Sequence, residues 1–327
     1  KGVNPYHIMA ITFTNKAAAE MRERIDDLVG FGSESIWVST FHSSCVRILR
    51  RYIDRLGYDN RFTIYDTDDQ KTIMKEVCKR LQIDTKQTKE RALLNVISSA
   101  KNELISPEEF TLRAAGDYAK QKQAQVYREY QQTLKKNNAL DFDDLIMKCV
   151  ELFKADPEVL DSYQERLRYI MVDEYQDTNA LQDALYRCLA SPAGDDLFLV
   201  GDLKQSIYRF RQADPSIFRE KLESWPLLAG GEARPRPEDG RPGENAMLAL
   251  DANFRSAPQV VAGINFIFEQ LMTPALGDTA YGDGQRLVCG APGAYEGSVE
   301  VHFLPDDAAE TDAKYIADRI EAMVASG

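Results

Sequence analysis

Short apolar runs that each end in a block of polar side chains are the feature that most limits the fold of this 327-residue chain. Such runs lie at residues 8–13, 36–39, 169–172 and 197–200. Helical patterns follow the first two, at 15–28 and about 42–56. Strands that alternate with helices pair in parallel, and ligands then bind beyond the carboxyl ends of the strands. The sequence therefore predicts an α/β fold built on a parallel sheet.

Two adjacent carboxylates, Asp173 and Glu174, directly follow the apolar run at 169–172. In phosphoryl transfer, one acid in such a place can bind Mg²⁺ while its neighbour polarises the attacking water. Asp173 is therefore our candidate metal ligand, and Glu174 is our candidate catalytic base. A lone Asp-Glu pair at a strand end is more often simply solvated, so the assignment depends on the other motifs in the chain.

A loop of polar, cationic and aromatic residues, 201–214, follows the run at 197–200. Gln205 in this loop can face phosphates. The rings of Tyr208 and Phe210 can stack on the bases of a single nucleic-acid strand without sequence preference. In the alternative interpretation, both rings join Ile207 in a small core. The loop alone leaves these two interpretations open.

Six blocks resemble the motifs of superfamily 1 DNA helicases of the UvrD, Rep and PcrA type, and they occur in that family's order. The blocks are 11–18 (motif Ia), 40–43 (motif Ib), 140–146 (end of the accessory insertion), 172–179 (Walker B), 201–214 (motif III) and 253–256 (motif IV). The resemblance covers nearly the whole chain. Up to about Gln182 it is most similar to PcrA or UvrD. Residues 200–218 and those after Asn253 are more similar to the AddA helicase-nuclease subunit.

The resemblance implies a RecA-like P-loop NTPase sheet, an inserted helical accessory domain and the start of a second RecA-like domain. The implied segments are 1–65 with 161–226 (first motor domain), 66–160 (insertion), 227–245 (linker or exposed loop) and 246–327 (second motor domain). Within the insertion, the pattern predicts helices at 70–81, 90–101, 121–136 and 142–153. In the last segment it predicts strands at 247–250 and 298–304 and helices at 259–271 and 307–324.

The resemblance also implies roles for individual residues. Arg255 is expected to act on the γ-phosphate as an arginine finger, Phe254 to stack on adenine, and Gln205 to respond to the nucleotide. The expected DNA contacts are Thr14, Asn15, Lys16, Phe41, His42, Tyr208, Phe210 and Arg211. Taken without the other motifs, Arg255 can equally cap the preceding strand, and Phe254 can pack in a core.

The implied activity is ATP- and Mg²⁺-dependent movement along single-stranded DNA in the 3′ to 5′ direction, with unwinding at duplex junctions in repair or recombination. One alternative is the helicase part of an AddA-like helicase-nuclease, and another is a noncatalytic single-strand-binding or scaffolding piece. The family's Walker A loop should precede Ile11, yet none of the ten residues before it form such a loop. We therefore expect a fragment that alone hydrolyses ATP at a negligible rate.

Composition narrows the possible partners. A net charge of −12 argues against a protein that coats DNA through bulk electrostatics, because nonspecific binding depends on lysine and arginine, but it allows a local basic groove. The five cysteines lack metal-ligand or disulfide spacing. No run in the sequence is long and apolar enough to span a membrane, and no signal peptide opens the chain. We expect a cytoplasmic protein without a membrane partner.

Overall fold

The computed structural model describes residues 2–84, 88–192, 194, 196–228, 245–277, 280–282, 285–290, 299–300, 302, 304 and 309–326. The strands are β1 (Ile8–Thr12), β2 (Trp37–Thr40), β3 (Thr63–Ile64), β4 (Ala139–Leu140), β5 (Tyr169–Val172), β6 (Leu197–Leu199), β7 (Ala252–Asn253) and β8 (Val288–Cys289). The chain divides into two compact units, Lys1–Met247 and Leu248–Gly327.

Helices account for most of the remaining regular structure. In chain order they are α1 (Asn15–Val29), α2 (Phe41–Tyr52), α3 (Thr67–Arg80), α4 (Glu90–Asn102), α5 (Pro107–Arg113), α6 (Tyr118–Lys136), α7 (Phe142–Ala155), α8 (Pro157–Arg166), α9 (Ala180–Leu189), α10 (Pro215–Ser224), α11 (Pro258–Leu271), α12 (Pro274–Gly277) and α13 (Ala309–Ser326). Among the described residues, no helix has the length and apolar character that crossing a membrane requires.

A parallel four-stranded sheet with the order β2-β1-β5-β6 organises the first unit. Thr12 pairs with Thr40, Ile11 with Val172, and Val172 with Leu199. The carboxyl ends of all four strands therefore meet at one edge, as the alternation of strands and helices predicts. The predicted parallel α/β fold is confirmed.

The apolar residues on one face of the central strands are buried because helices cover that face. Met9, Ile11, Ile170 and Val172 share one core with apolar side chains of α2, α7, α8 and α9. Burial of a side chain of this size contributes about 1.5–3 kcal/mol to folding. The packed core thus holds the carboxyl edge of the sheet, where the motifs lie, in a fixed position.

A second core lies within the helical segment between β3 and β4. Its buried side chains come mainly from α3, α4 and α6, and include Met74, Leu93, Ile97 and Tyr130. We predicted α7 as part of this insertion, but α7 buries its apolar face in the core of the sheet and packs against α2. The helical segment with its own core therefore ends before α7, and not at residue 160.

Capping side chains explain why several helices begin earlier than their apolar periodicity predicts. The helix predicted at 70–81 begins at Thr67, because Asp66 and Asp69 form a reciprocal capping box. The helix predicted from His42 begins at Phe41, because the Thr40 hydroxyl accepts a hydrogen bond from the Ser43 amide. It ends at Tyr52, and a 3₁₀ turn follows it.

The second unit contains the short parallel pair β7–β8 and the helix α11. The strand predicted at 247–250 is wrong, since Met247 makes only an isolated bridge with Leu227 and the strand begins at Ala252. Of the strand predicted at 298–304, residues 299, 300, 302 and 304 are described and none is in a strand. Residues 229–244 of the predicted linker lie outside the described residues.

A buried ion cluster joins α4 to the start of α7. The ammonium of Lys101, which is fully buried, lies 2.7 Å from Asp141 Oδ2 and 2.8 Å from Asp144 Oδ1. Tyr130 donates a further hydrogen bond to Asp141, and Gln131 donates one to Asp144. Burial disfavours the charged ammonium, but the two carboxylates outweigh burial and raise the pKa of Lys101 well above its ordinary value.

We expect Lys101→Met to lower the free energy of unfolding by about 3–5 kcal/mol, because it leaves two buried carboxylates without their counter-charge. Urea denaturation of the wild-type and variant proteins measures the change. Lys71→Met is the matched control: Lys71 pairs with Asp68 at 2.8 Å on the surface, where such pairs contribute at most about 1 kcal/mol. Equal losses in the two variants would contradict a structural role for the cluster.

Candidate functional site

The predicted acidic pair lies at the carboxyl edge of the sheet, directly after β5. The Asp173 amide donates to the carbonyl of Ile11, which continues the pairing with β1, and Asp173 Oδ1 accepts a 3.0 Å hydrogen bond from the Glu174 amide. Glu174 has a φ of 55°, in the left-handed region that non-glycine residues rarely adopt. Such strained residues cluster at functional sites, where the surrounding structure holds them. The end of β5 and the left-handed backbone of Glu174 together fix the position of this residue at the carboxyl edge of the sheet.

The acids of this turn repel one another. Burial, and then the negative charge of Asp173, raise the pKa of Glu174 above its ordinary value. Burial and the charge of Glu174 likewise raise the pKa of Asp177 to about 6. A bound cation relieves such repulsion, and Mg²⁺ prefers carboxylate oxygens as ligands. The described residues contain no cluster of three or more potential metal ligands. Mg²⁺ usually takes only one or two carboxylates from a protein and keeps waters and substrate phosphates as its other ligands, so the acidic pair fits Mg²⁺, with Asp173 as its predicted ligand.

The loop after β6 begins with a close approach between backbones. A Cβ atom on Gly201 would lie 2.7 Å from Gln176 Oε1 and 3.2 Å from the Gln176 backbone nitrogen, so a larger residue would displace the Gln176 side chain. The same Gln176 Oε1 accepts a 3.0 Å hydrogen bond from the Asp202 amide, which ties the loop to the turn after Glu174. The start of the loop and the turn after Glu174 are thereby held in direct contact.

Gln205 is held in place by Asp202. Its side-chain amide donates to Asp202 Oδ2 at 3.0 Å, and the Lys204 ammonium lies 2.9 Å from Asp202 Oδ1. Burial opposes ionisation of Asp202, but the hydrogen bonds from Gln205 and Lys204 outweigh it and lower the pKa of this carboxyl. The Gln205 side chain is thus hydrogen-bonded to a charged carboxylate at the edge of the sheet. That Gln205 contacts a phosphate of the nucleotide remains a prediction.

The aromatic pair of the loop is exposed. Tyr208 is 36% and Phe210 76% exposed, and their ring centroids lie 5.8 Å apart. Ile207 beside them is 67% exposed. The alternative that these side chains form a small core is therefore contradicted. Arg211, the remaining predicted DNA contact of this loop, lies in the 3₁₀ turn Arg209–Arg211.

The other predicted DNA contacts lie at the beginnings of α1 and α2. Thr14 caps α1 by accepting a hydrogen bond from the Ala17 amide, and Thr14, Asn15 and Lys16 are all exposed. His42 is half-buried, and burial lowers the pKa of its imidazole. Because β1 and β2 are neighbours, these residues lie beyond adjacent strand ends.

Phe41 must be removed from the predicted DNA surface. Its side chain is 1% exposed, and its ring packs against Phe13 and Tyr186 at centroid distances of 5.0 and 5.3 Å. A ring in this position is part of the core and has no face to offer a base. Of the three rings predicted to stack on DNA, Tyr208 and Phe210 remain.

In the second unit, the predicted nucleotide contacts follow β7. Asn253 Oδ1 accepts hydrogen bonds from the amides of Arg255 and Ser256, so Asn253, and not Arg255, caps this turn. Phe254 is 71% exposed, which contradicts the alternative that it packs in a core. A Cβ atom on Gly290 would meet the Phe254 ring at 2.7 Å, so the absence of a side chain at Gly290 makes room for the ring.

The structure adds contacts that the sequence did not indicate. Gln212 Nε2 donates to Ser98 Oγ at 3.2 Å, and Asn179 Nδ2 donates to Asn102 Oδ1 at 2.5 Å. Both acceptors lie on α4. The loop after β6 and the segment after β5 are therefore joined to the same helix of the insertion.

A parallel sheet with paired acids and a polar loop at its carboxyl edge is the arrangement expected of a RecA-like nucleoside-triphosphatase domain. The chain belongs to the UvrD/REP helicase family: residues 1–226 match the UvrD/REP helicase N-terminal domain. It is 45% identical over 269 residues to the ATP-dependent DNA helicase PcrA of Bacillus subtilis (strain 168), a match that covers 82% of this chain and 34% of that protein.

Two further relatives carry the same name, ATP-dependent DNA helicase PcrA. The protein of Staphylococcus aureus (strain Mu50 / ATCC 700699) is 53% identical over 214 residues, 65% of this chain and 29% of the relative. That of Staphylococcus epidermidis (strain RP62A) is 39% identical over 327 residues, all of this chain and 41% of the relative. The chain thus spans between 29% and 41% of the length of these three proteins.

Proposed function

We propose that this chain is part of a cytoplasmic, ATP-dependent DNA helicase that moves 3′ to 5′ on single-stranded DNA and separates strands at duplex junctions in repair or recombination. One observation carries the proposal. The acids after β5 and the exposed aromatic loop after β6 lie beyond neighbouring strands of one sheet, in a chain similar to helicases along its whole length. The proposed catalytic acids and the proposed DNA-facing rings thus follow neighbouring strands of the same sheet.

The nucleotide side of the proposed mechanism uses the acids, the loop and the turn after β7. Asp173 would hold Mg²⁺, which stabilises charge on the phosphates when bound. Glu174 would accept a proton from the attacking water, a role that suits a carboxylate held at the carboxyl edge of the sheet beside the predicted Mg²⁺ ligand. Gln205 and Arg255 would contact phosphate oxygens, and Phe254 would stack on adenine.

The DNA side uses the residues beyond β1, β2 and β6. Tyr208 and Phe210 would stack on bases, while Thr14, Asn15, Lys16, His42 and Arg211 would contact phosphates or sugars. Because Gln205 and the two rings belong to the same short loop, a change at the phosphates would alter the grip on the strand. This is the step by which hydrolysis would drive movement.

The alternatives from the sequence differ in what accompanies this chain. An AddA-like enzyme would add a nuclease, and a noncatalytic piece would bind DNA without turnover. Similarity to PcrA over all 327 residues supports a helicase core of the PcrA kind. DNA-stimulated ATP hydrolysis in the full-length protein would distinguish a helicase from a noncatalytic piece.

We expect Tyr208→Ala and Phe210→Ala each to weaken binding of a single-stranded oligonucleotide by about 1–3 kcal/mol, with little dependence on base sequence, because each removes one stacking surface. The dependence of affinity on salt should stay nearly unchanged, since its slope counts phosphate contacts. Titrations of the full-length protein at several salt concentrations measure both quantities.

Ile207→Ala is the matched control, because it removes exposed apolar surface from the same loop without removing a ring. Its affinity for DNA should equal that of the wild type. If the ring variants bind DNA normally but melt at a lower temperature, the rings serve the fold and the proposed DNA surface is wrong.

A further inference from the structure

Gln212 occupies a backbone conformation that does not suit glutamine. Its φ is 67°, in the left-handed region where glycine is favoured and other residues are strained. It directly follows the turn Arg209–Arg211 that carries Phe210, and its side chain is half-buried. A strained residue persists when the surrounding structure compensates for it, so the contact made by its side chain indicates what is gained.

That contact reaches a distant part of the chain. Gln212 Nε2 donates a 3.2 Å hydrogen bond to Ser98 Oγ on α4, 114 positions away in sequence. Glycine at position 212 would relieve the backbone but could not make this bond. The loop of Tyr208 and Phe210 is thus fastened to a helix whose other side packs in the core of the insertion.

The same face of α4 makes a second contact one turn further on. Asn102 Oδ1 accepts a hydrogen bond from Asn179 Nδ2 at 2.5 Å, and Asn102 Nδ2 donates to Asp143 Oδ1 at 3.3 Å. Residues four apart share a helix face, so Ser98 and Asn102 form one polar strip. This strip contacts the loop after β6 through Gln212 and the segment after β5 through Asn179.

We infer that Gln212 is a positioning residue that couples the DNA-facing rings to α4, so that the insertion sets the grip of Tyr208 and Phe210 on the strand. The inference rests on the proposed DNA surface of this loop. It assigns to Gln212 no contact with DNA or nucleotide. Gln212 acts on the rings only through its hydrogen bond to Ser98, so its effect can be measured separately from the stacking of the rings on bases.

A double-mutant cycle tests the coupling. Gln212→Gly removes the side-chain amide and suits the left-handed backbone. Ser98→Ala removes the acceptor on α4 and leaves the sequence of the loop unchanged, although it also removes the 3.4 Å hydrogen bond that Ser98 Oγ accepts from Asn102 Nδ2. We expect each variant to weaken single-stranded DNA binding by the full-length protein about threefold to tenfold, the loss expected for one hydrogen bond. The double variant should bind DNA with about the same affinity as whichever single variant binds less tightly. The dependence of affinity on salt concentration should not change.

Hydrogen exchange of the free protein gives a second readout that does not depend on DNA. Ser98→Ala should speed amide exchange in residues 203–212, although Ser98 lies on α4 and not in that loop. Gln82→Gly is the matched control, because Gln82 is an exposed glutamine with a φ of 54° at the end of α3. It should change neither DNA affinity nor exchange in the loop.

Losses in affinity that multiply in the double variant, or loop exchange unchanged by Ser98→Ala, would overturn the coupling. Wild-type affinity in the Gln212 and Ser98 variants, with reduced affinity in Tyr208→Ala and Phe210→Ala, would also overturn it and leave the proposed function standing. Wild-type affinity in the ring variants themselves would instead reject the DNA surface on which the inference rests.

Discussion

Changing Glu174 to glutamine is expected to lower DNA-stimulated ATP hydrolysis by the full-length protein by about 10²–10⁴-fold, the usual contribution of a positioned general base. Glutamine keeps the size of the side chain and can occupy the same left-handed turn, but it cannot accept the proton of the attacking water. Nucleotide binding should persist, because Asp173 remains in place. Single-turnover hydrolysis and nucleotide titration measure the two effects separately.

Asp177→Asn is the informative control for Glu174. Asp177 lies in the same turn and has its pKa raised to about 6, so it is the competing candidate for the base. If Glu174 is the base, Asp177→Asn should retain most of the hydrolysis rate. Retained turnover in Glu174→Gln, with loss in Asp177→Asn, would reassign the role to Asp177.

The sheet and its motif-bearing edge were predictable from the sequence for a physical reason. Strands of a parallel sheet are rich in apolar residues, so they stand out as apolar runs even where single side chains such as Met171 and Phe198 are exposed, and the polar blocks after them mark the carboxyl edge. Tyr169–Val172 was predicted with its observed bounds. The exposure of Tyr208 and Phe210 was not predictable, because a loop with alternating aromatic and polar residues fits a small core equally well.

Phe41 and α7 show what the sequence does not contain. Phe41 directly follows β2, and only the packing of Phe13 and Tyr186 around its ring decides that it points into the core. The apolar face of α7 shows that the helix packs on something, but not whether its partner is the insertion or the sheet. Both questions depend on residues of other elements, such as Tyr186 of α9 for Phe41 and α2 for α7.

The contacts of α4 carried no local signal at all. Ser98 and Asn102 are polar residues on an amphipathic helix, where a solvated face is the usual interpretation. Their partners Gln212 and Asn179 come from other motifs. These contacts form only because the fold brings α4 of the insertion against the carboxyl edge of the sheet. The periodicity of residues within one segment does not indicate which other segment packs against it.

Replacing Arg255 with alanine is expected to lower kcat for ATP hydrolysis by about 10³–10⁵-fold in the full-length protein, as loss of an arginine finger does in phosphoryl transfer. Nucleotide affinity should change much less, because the guanidinium acts mainly on charge that develops in the transition state. The structure leaves Arg255 exposed on a turn that Asn253 caps, so its removal should not disturb the local fold. Steady-state kinetics and nucleotide titration separate the two quantities.

A lysine variant decides whether the geometry of the guanidinium or only its charge matters, and a second arginine of the same unit provides the control. Arg255→Lys should restore only part of kcat, since lysine keeps the charge but lacks the planar fork that meets two phosphate oxygens at once. Arg286→Ala is the matched control, because Arg286 is an exposed arginine of the same unit that pairs with Glu269. It should leave kcat unchanged. Near-normal kcat in Arg255→Ala would refute the finger, and full activity in Arg255→Lys would reduce its role to that of a point charge.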